Sequence, residues 1–319
     1  MFFLLDPFFY EIVISGLLAG VMYDLVALGF VLIFKASGIF NFAQGVLALF
    51  AALTLVGFQT GQIPFAHLLS LFGLHASHWG AGFPTIIALL FSLLVMIGLA
   101  WLIVQIVLKP LVNQEGIILF MATIGLNYFI EGFAQLIWGS HVGVLDLGID
   151  QYAAFEIGAA LINKFDVWAA LIAGSLVLVL SLFFRYTVIG RALRAVADDH
   201  QAALSVGIPL STIWIYVWST AGLVALVAGV VWGSKLGVQF AISTVALKAI
   251  PVLIIGGFTS VPGAIVGGLI VGCGEKLAEV YLGAYIGYGI ENWFPYMLAL
   301  IVLMIRPEGL FGEKIIERV

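Results

Sequence analysis

Polar side chains able to grip a partner or a solute cluster at a few places in a chain of 319 residues that is otherwise 63% hydrophobic. The largest group opens with Arg185, Arg191 and Arg194 and continues through Asp198, Asp199, His200 and Gln201 to Gly207 and Pro209. A chain this apolar keeps such an island only where water or a soluble partner meets it. Asp198 can act as an N-cap, with Gln201 three residues on in the manner of a capping box. Gly207 suits the left-handed position that ends a helix, and Pro209 follows it. The pattern predicts a two-turn helix over 199–206, small-faced at Ala202, Ala203 and Ser205 and able to dock in a groove. The alternative is a solvated basic loop with incidental helicity.

Thr123, Asn127, Glu131 and Gln135 recur every four residues, which makes one slowly turning polar stripe on a helix. Such groups at membrane depth turn toward a bundle interior or a cavity. The stripe therefore either lines a pathway or hydrogen-bonds neighbouring helices. Asp24 is the lone ionisable residue deep in the first apolar stretch, and it contacts a solute, pairs across helices or stays neutral. Two stretches rich in glycine and small polar residues sit at similar depth: 37–45, with Asn41, Phe42 and Gln44, and 256–263, with Thr259 and Ser260. Irregular backbone survives there only where protein or a water-filled cavity satisfies it. Paired broken segments point to an inverted repeat with a pathway between its halves; the other reading makes them turns at the membrane surface. Gly16 and Gly20, Gly263 and Gly267, and Gly268 and Gly272 have the spacing of close helix contacts. His67, His75 and His78 lack ligand spacing, Cys273 is a single cysteine, and no zinc pattern is present. No Gly-x-Ser-x-Gly or Gly-x-Gly-Asp motif supplies an intramembrane enzyme with a nucleophile or acid.

These groups are carried by apolar runs at 8–34, 45–58, 83–108, 116–138, 167–184, 213–232, 247–258, 264–282 and 293–305. Most approach the roughly 20 residues that a hydrocarbon core about 30 Å thick requires. Only 9% of residues are charged and the mean hydropathy is +1.21, whereas soluble domains carry about 25% charged residues. Short alternating strands of a membrane barrel are absent from the pattern. The expected fold is an all-α polytopic membrane protein of about eight or nine transmembrane segments, including broken or half-helices at 45–58 and 247–258, built on an inverted repeat. It forms a single transmembrane domain over 1–319 with a cytoplasmic loop at about 185–212. Residues 1–10 lack a basic residue and do not read as a cleavable signal. Lys35, Lys109, the Arg185 to Arg194 cluster, and Arg306, Lys314 and Arg318 fall on alternate loops, which places them and the C-terminus in the cytoplasm. The loops 59–82 and 139–166 then face outside. A net charge of −5 without a basic face excludes a nucleic-acid partner.

Five stretches, in order, resemble the LivH-type permease family of branched-chain amino acid ABC importers. Gly38-Ile39-Phe40-Asn41-Phe42-Ala43-Gln44-Gly45 is similar to the family's G-I-x-N-F-A-H-G-E. Thr123-Ile124-Gly125-Leu126 leads to Glu131-Gly132 and Trp138-Gly139. The arginine island resembles the family's cytoplasmic loop R-A-x-A-x-D-x-x-x-A-x-x-x-G-I. Gly256-Gly257-Phe258-Thr259-Ser260-Val261-Pro262-Gly263-Ala264 is similar to G-G-x-G-S-x-P-G-A, and Arg306-Pro307-Glu308-Gly309-Leu310-Phe311-Gly312 to R-P-x-G-L-F-G. The sequence departs from the family at Gln44, Val46, Asp24 and Thr259, where His, Glu, a small or neutral residue and Gly are usual. The resemblance implies a non-enzymatic permease subunit in a bacterial inner membrane. It would move branched-chain or other amino acids or similar small solutes; urea, amides, aromatic acids or simple sugars are the alternative cargoes. It implies a second, LivM-type permease, two cytoplasmic ABC ATPase subunits and a periplasmic solute-binding protein around this lipid-embedded chain. With no phosphate-binding loop here, ATP and Mg are expected on the ATPases and no cofactor on this chain. The ATPases would dock on Arg191, Arg194, Asp198, Asp199, Ala202, Ala203 and Gly207. Asn41, Phe42, Gln44, Thr123, Asn127, Glu131, Thr259 and Ser260 would border the solute pathway. A secondary transporter or channel would share the apolar spans but have no need of a capped docking helix.

Overall fold

The computed structural model describes all residues except 1–6, 67–68, 70–77, 113, 140–141, 146, 151–152, 158–159, 199–202, 204 and 313–319. Each apolar run forms a helix: α1 (Pro7–Ser37), α2 (Gln44–Thr60), α3 (Thr85–Leu102), α4 (Gly116–Trp138), α5 (Lys164–Tyr186), α7 (Leu210–Leu236), α8 (Ile242–Gly256), α9 (Val261–Ile286) and α10 (Phe294–Ile305). A further helix, α6 (Val188–Asp198), joins α5 to α7. α3 rewinds into a π-helical stretch, Ile103–Leu108, and a 3-10 turn, Lys109–Leu111. Pro110 has no N–H for the Ile106 carbonyl, which removes the ordinary helical bond at that point.

Six of these helices are long and apolar enough to cross a membrane: α1, α3 with its extension, α4, α5, α7 and α9. At 1.5 Å per residue, α2, α8 and α10 reach only roughly 25, 22 and 18 Å, short of a core about 30 Å thick. Two of the three are the predicted half-helices. The third, α10, was read from sequence as an ordinary span and is too short to be one unaided. The sequence reading also missed an antiparallel hairpin, β1 (Ala154–Ile157) with β2 (Ala160–Asn163), in register Ala154 opposite Asn163.

The helices pack as two compact units, one of residues 1–31, 148–182 and 246–319, the other of 32–147 and 183–245. In the second unit α2 is central, and each of its residues from Gln44 through Gly57 is buried. It packs against α3, α4 and α7. A helix apolar on every side tolerates such enclosure, and Gly229 of α7 admits it: a Cβ there would collide with the Ala48 carbonyl. In the first unit α1 and α9 cross at Gly16 and Gly20 against Gly268 and Gly272, backbone against backbone. A Cβ at Gly268 would strike the Asp24 carboxylate and the Gly20 carbonyl. This is the close approach that small-residue spacing permits in lipid.

Gly268→Ala is therefore expected to lower stability by about 1–3 kcal/mol, as overpacking does. Gly98→Ala in α3, where nothing lies within 4 Å of the added carbon, should instead gain roughly 0.5–1 kcal/mol from helix propensity. Thermal unfolding of the two variants in detergent checks both signs.

Candidate functional site

The break between α1 and α2 is held together by side chains. Gly38 turns the chain at φ +66°, and Ser37 Oγ accepts from Ile39 N at 3.3 Å. Asn41 is fully buried: its Oδ1 accepts from Ala43 N at 3.2 Å and its Nδ2 donates to Gln44 Oε1 at 3.2 Å. Gln44 Nε2 in turn reaches the Ala221 carbonyl of α7 at 3.4 Å. From α4, the buried Thr123 hydroxyl accepts from Phe42 N at 3.1 Å and lies within donating distance of the Phe40 and Phe120 carbonyls, at 3.1 and 2.8 Å. Four residues singled out by sequence, Asn41, Phe42, Gln44 and Thr123, thus form one network in the second unit. Asn127 and Glu131 follow Thr123 along α4, both half-buried.

The other irregular segment, in the first unit, has its own seal. Gly257 turns at φ +104°. Ser260 caps α9, its Oγ accepting from Gly263 N at 3.0 Å, while Thr259 is half-buried beside it. The last carbonyls of α8 are met from the chain's tail: Leu310 N donates to Ile255 O at 2.8 Å and Phe311 N to Gly256 O at 3.1 Å. Gly309, at φ +80°, makes the approach possible, since a Cβ there would meet the Ile254 carbonyl at 2.8 Å. Sequence reading noted both glycine motifs without recognising that each completes the other.

The arginine island holds a helix absent from the sequence expectation. Its helix starts at Val188, capped by Thr187, whose Oγ1 accepts from Gly190 N at 3.2 Å. It ends at Asp198 and precedes the predicted helix, whose capping by Asp198 falls on residues 199–202, outside the described residues. Apolar Leu193 and Val196 at helical spacing are buried, which is the period that makes this helix. Arg194 serves the fold: it donates to the Phe184 and Arg185 carbonyls at 2.7 and 3.4 Å, closing the end of α5. Arg191 is exposed. Asp199 and Ala202 lie outside the described residues. Ala203 is buried and so faces its own unit. The predicted helix end holds: Gly207 has φ +88° and Ile208 N closes onto Ala203 O at 3.0 Å, the six-residue closure of a Schellman motif. Val206 beside it is 80% exposed.

The sequence reading overlooked a polar cluster at mid-helix in the first unit. Tyr23 of α1 donates to Glu275 Oε1 of α9 at 2.7 Å, and Lys248 Nζ of α8 lies 3.6 Å from Glu275 Oε2. Nearer the end of α9, Lys276 pairs with Glu291 at 2.8 Å, and Glu279 accepts from the Gly289 and Glu291 backbone at 2.9 and 3.0 Å. The signal was available, since acidic and basic residues inside an apolar span are seldom incidental. Asp24 is buried nearby in sequence, with its Oδ1 lacking a hydrogen-bond partner among the described residues.

The family described as branched-chain amino acid transport system, permease component, matches residues 12–306. The chain belongs to this family. The high-affinity branched-chain amino acid transport system permease protein LivH of Escherichia coli (strain K12) is 27% identical over 326 residues, 98% of each chain. The corresponding protein BraD of Pseudomonas aeruginosa is 26% identical over 96% of each. A probable branched-chain amino acid transport permease protein LivH of Methanocaldococcus jannaschii is 27% identical over 90% of this chain and 88% of its own. This permease is accordingly a multi-pass membrane subunit of an amino-acid importer of the ABC class, and the LivH-type resemblance of its motifs holds along nearly its whole length.

Thr123→Val should cost about 1–3 kcal/mol, the penalty for stranding buried backbone groups, and Thr123→Ser should restore most of it; melting curves of the two variants distinguish them. The Lys276 ammonium, hydrogen-bonded to Glu291, holds the Glu291 carboxyl below its ordinary value of 4.5. That stabilisation is complete above pH 4.5 and is lost as pH falls through the lower folded value. Glu291→Gln should therefore melt earlier than the native chain at pH 7, with the gap closing on acidification.

Proposed function

We propose that this permease carries branched-chain or related small amino acids inward across a bacterial inner membrane, paired with a second, LivM-type permease. Two cytoplasmic ABC ATPases supply ATP and Mg chemistry, and a periplasmic solute-binding protein delivers the cargo. The near full-length likeness to relatives named as branched-chain amino acid permeases carries this reading. The C-terminus faces the cytoplasm, as basic residues on alternate loops require. Packing within each unit supports the same-side assignments. Leu161 N donates to Glu11 Oε2 at 3.0 Å, joining the start of α1 to the outer loop. Gly143 and Val238 exchange backbone hydrogen bonds at 2.8 Å, which places the end of α7 with that loop. The tail lies against the end of α8 through Leu310 and Phe311.

Within the second unit, half-buried Phe42, Asn127 and Glu131 are the groups offered to the solute; within the first unit, taken by itself, half-buried Thr259 is. Asn41, Gln44, Thr123 and Ser260 hold the backbone that presents them. Docking of the ATPases uses exposed Arg191 and Val206 at the surface bounded by the Gly207 turn, with Asp198, Asp199 and Ala202 adjoining in sequence. Arg194 and Ala203 support that surface from beneath.

Co-expression with genomic neighbours tests the assembly. The ATPases should co-purify with the native chain and be lost from Arg191→Glu, Val206→Glu, while the doubly substituted permease keeps its melting temperature. A native chain that retains no ATPase would sink the ABC reading and favour a secondary transporter or channel.

A further inference from the structure

We propose that Lys248 receives the carboxylate of the amino acid as it crosses, with Glu275 and Tyr23 as its positioning residues. This rests on the amino-acid reading above and names the group within the first unit that recognises the solute.

Glu275 is 1% exposed and is fixed by the Tyr23 hydroxyl at 2.7 Å. Its second oxygen lies 3.6 Å from Lys248 Nζ, too far for the 2.7–2.9 Å of a charge-assisted hydrogen bond. The ammonium also lies 5.9 Å from the Tyr23 ring centroid. These contacts orient it without consuming its three donors; it makes no hydrogen bond among the described residues. The Lys248 side chain is 25% exposed. An ammonium at mid-helix is not left to hydrocarbon, and such groups turn to a cavity or a water-filled route. Replacing both members of a buried ion pair with apolar residues is often neutral for stability, so the pair is weak evidence of a packing role.

One turn further, Pro251 lies inside α8. It has no N–H to give to the Leu247 carbonyl four residues back. That carbonyl, adjacent to Lys248 in sequence, is an acceptor suited to the ammonium of the same solute. A cation and a carbonyl relieved of its helical bond match the two ends of a zwitterion.

The test is uptake of labelled leucine into proteoliposomes holding the complete importer. Native complex that imports no amino acid supplied with its binding protein would fail the proposed function itself. Given native uptake, Lys248→Gln and the charge-free pair Lys248→Met, Glu275→Met are expected to assemble normally and to import at least tenfold less, with Lys248→Arg retaining most uptake. Uptake by the charge-free pair within twofold of native overturns the inference. So does loss of assembly in both variants that lack the Lys248 charge, since the pair would then be structural.

Discussion

Backbone amides and carbonyls at membrane depth find no water, and the rest of the structure depends on how they are satisfied where helices stop. The chain breaks its helices twice, before α2 and between α8 and α9. At the first break Thr123 alone serves a Phe42 amide and the Phe40 carbonyl, while Asn41 and Gln44 close the turn on itself and onto α7. At the second, Ser260 caps one helix while the returning tail completes the other. Each seal draws on a residue distant in sequence, so the breaks are fixed points of the tertiary structure rather than loose joints.

Glycine does the complementary work of bringing helices together. With hydrocarbon on the outside there is little hydrophobic gain from helix contact, and dispersion between closely approaching backbones takes its place. The Gly16, Gly20, Gly268 and Gly272 crossing is of this kind, and Gly229 allows the same approach to the buried α2. Close packing then sets the distances at which the few charged groups meet. Tyr23, Lys248 and Glu275 lie on three helices of one unit, and their 2.7 and 3.6 Å separations follow from where those helices are held.

The arginine island shows how one sequence signal can mask another. Both the Gly207 turn and the arginines were visible, and the turn forms as expected. A helix from Val188 to Asp198, carried by the apolar period of Leu193 and Val196, precedes the predicted one and went unread. Arg194, read as a docking charge, is spent on carbonyls at the end of α5. Among the described residues of the island, Arg191 and Val206 are exposed.

The sequence by itself determined the nine apolar helices, the two breaks, the membrane setting and, through motifs in order, the family. These follow from hydropathy, length and local backbone preference, which act over a few residues and are readable in one dimension. It could not decide which polar groups meet. Asn41, Gln44 and Thr123 were legible individually, but their network needs α4 and α7 brought against the break. The joining of Leu310 and Phe311 to α8 spans some fifty residues, and the Tyr23 to Glu275 bond spans 252. Such pairings depend on helix rotation and depth. Those are set by close packing in three dimensions, for which the linear pattern contains the glycines but not the partners.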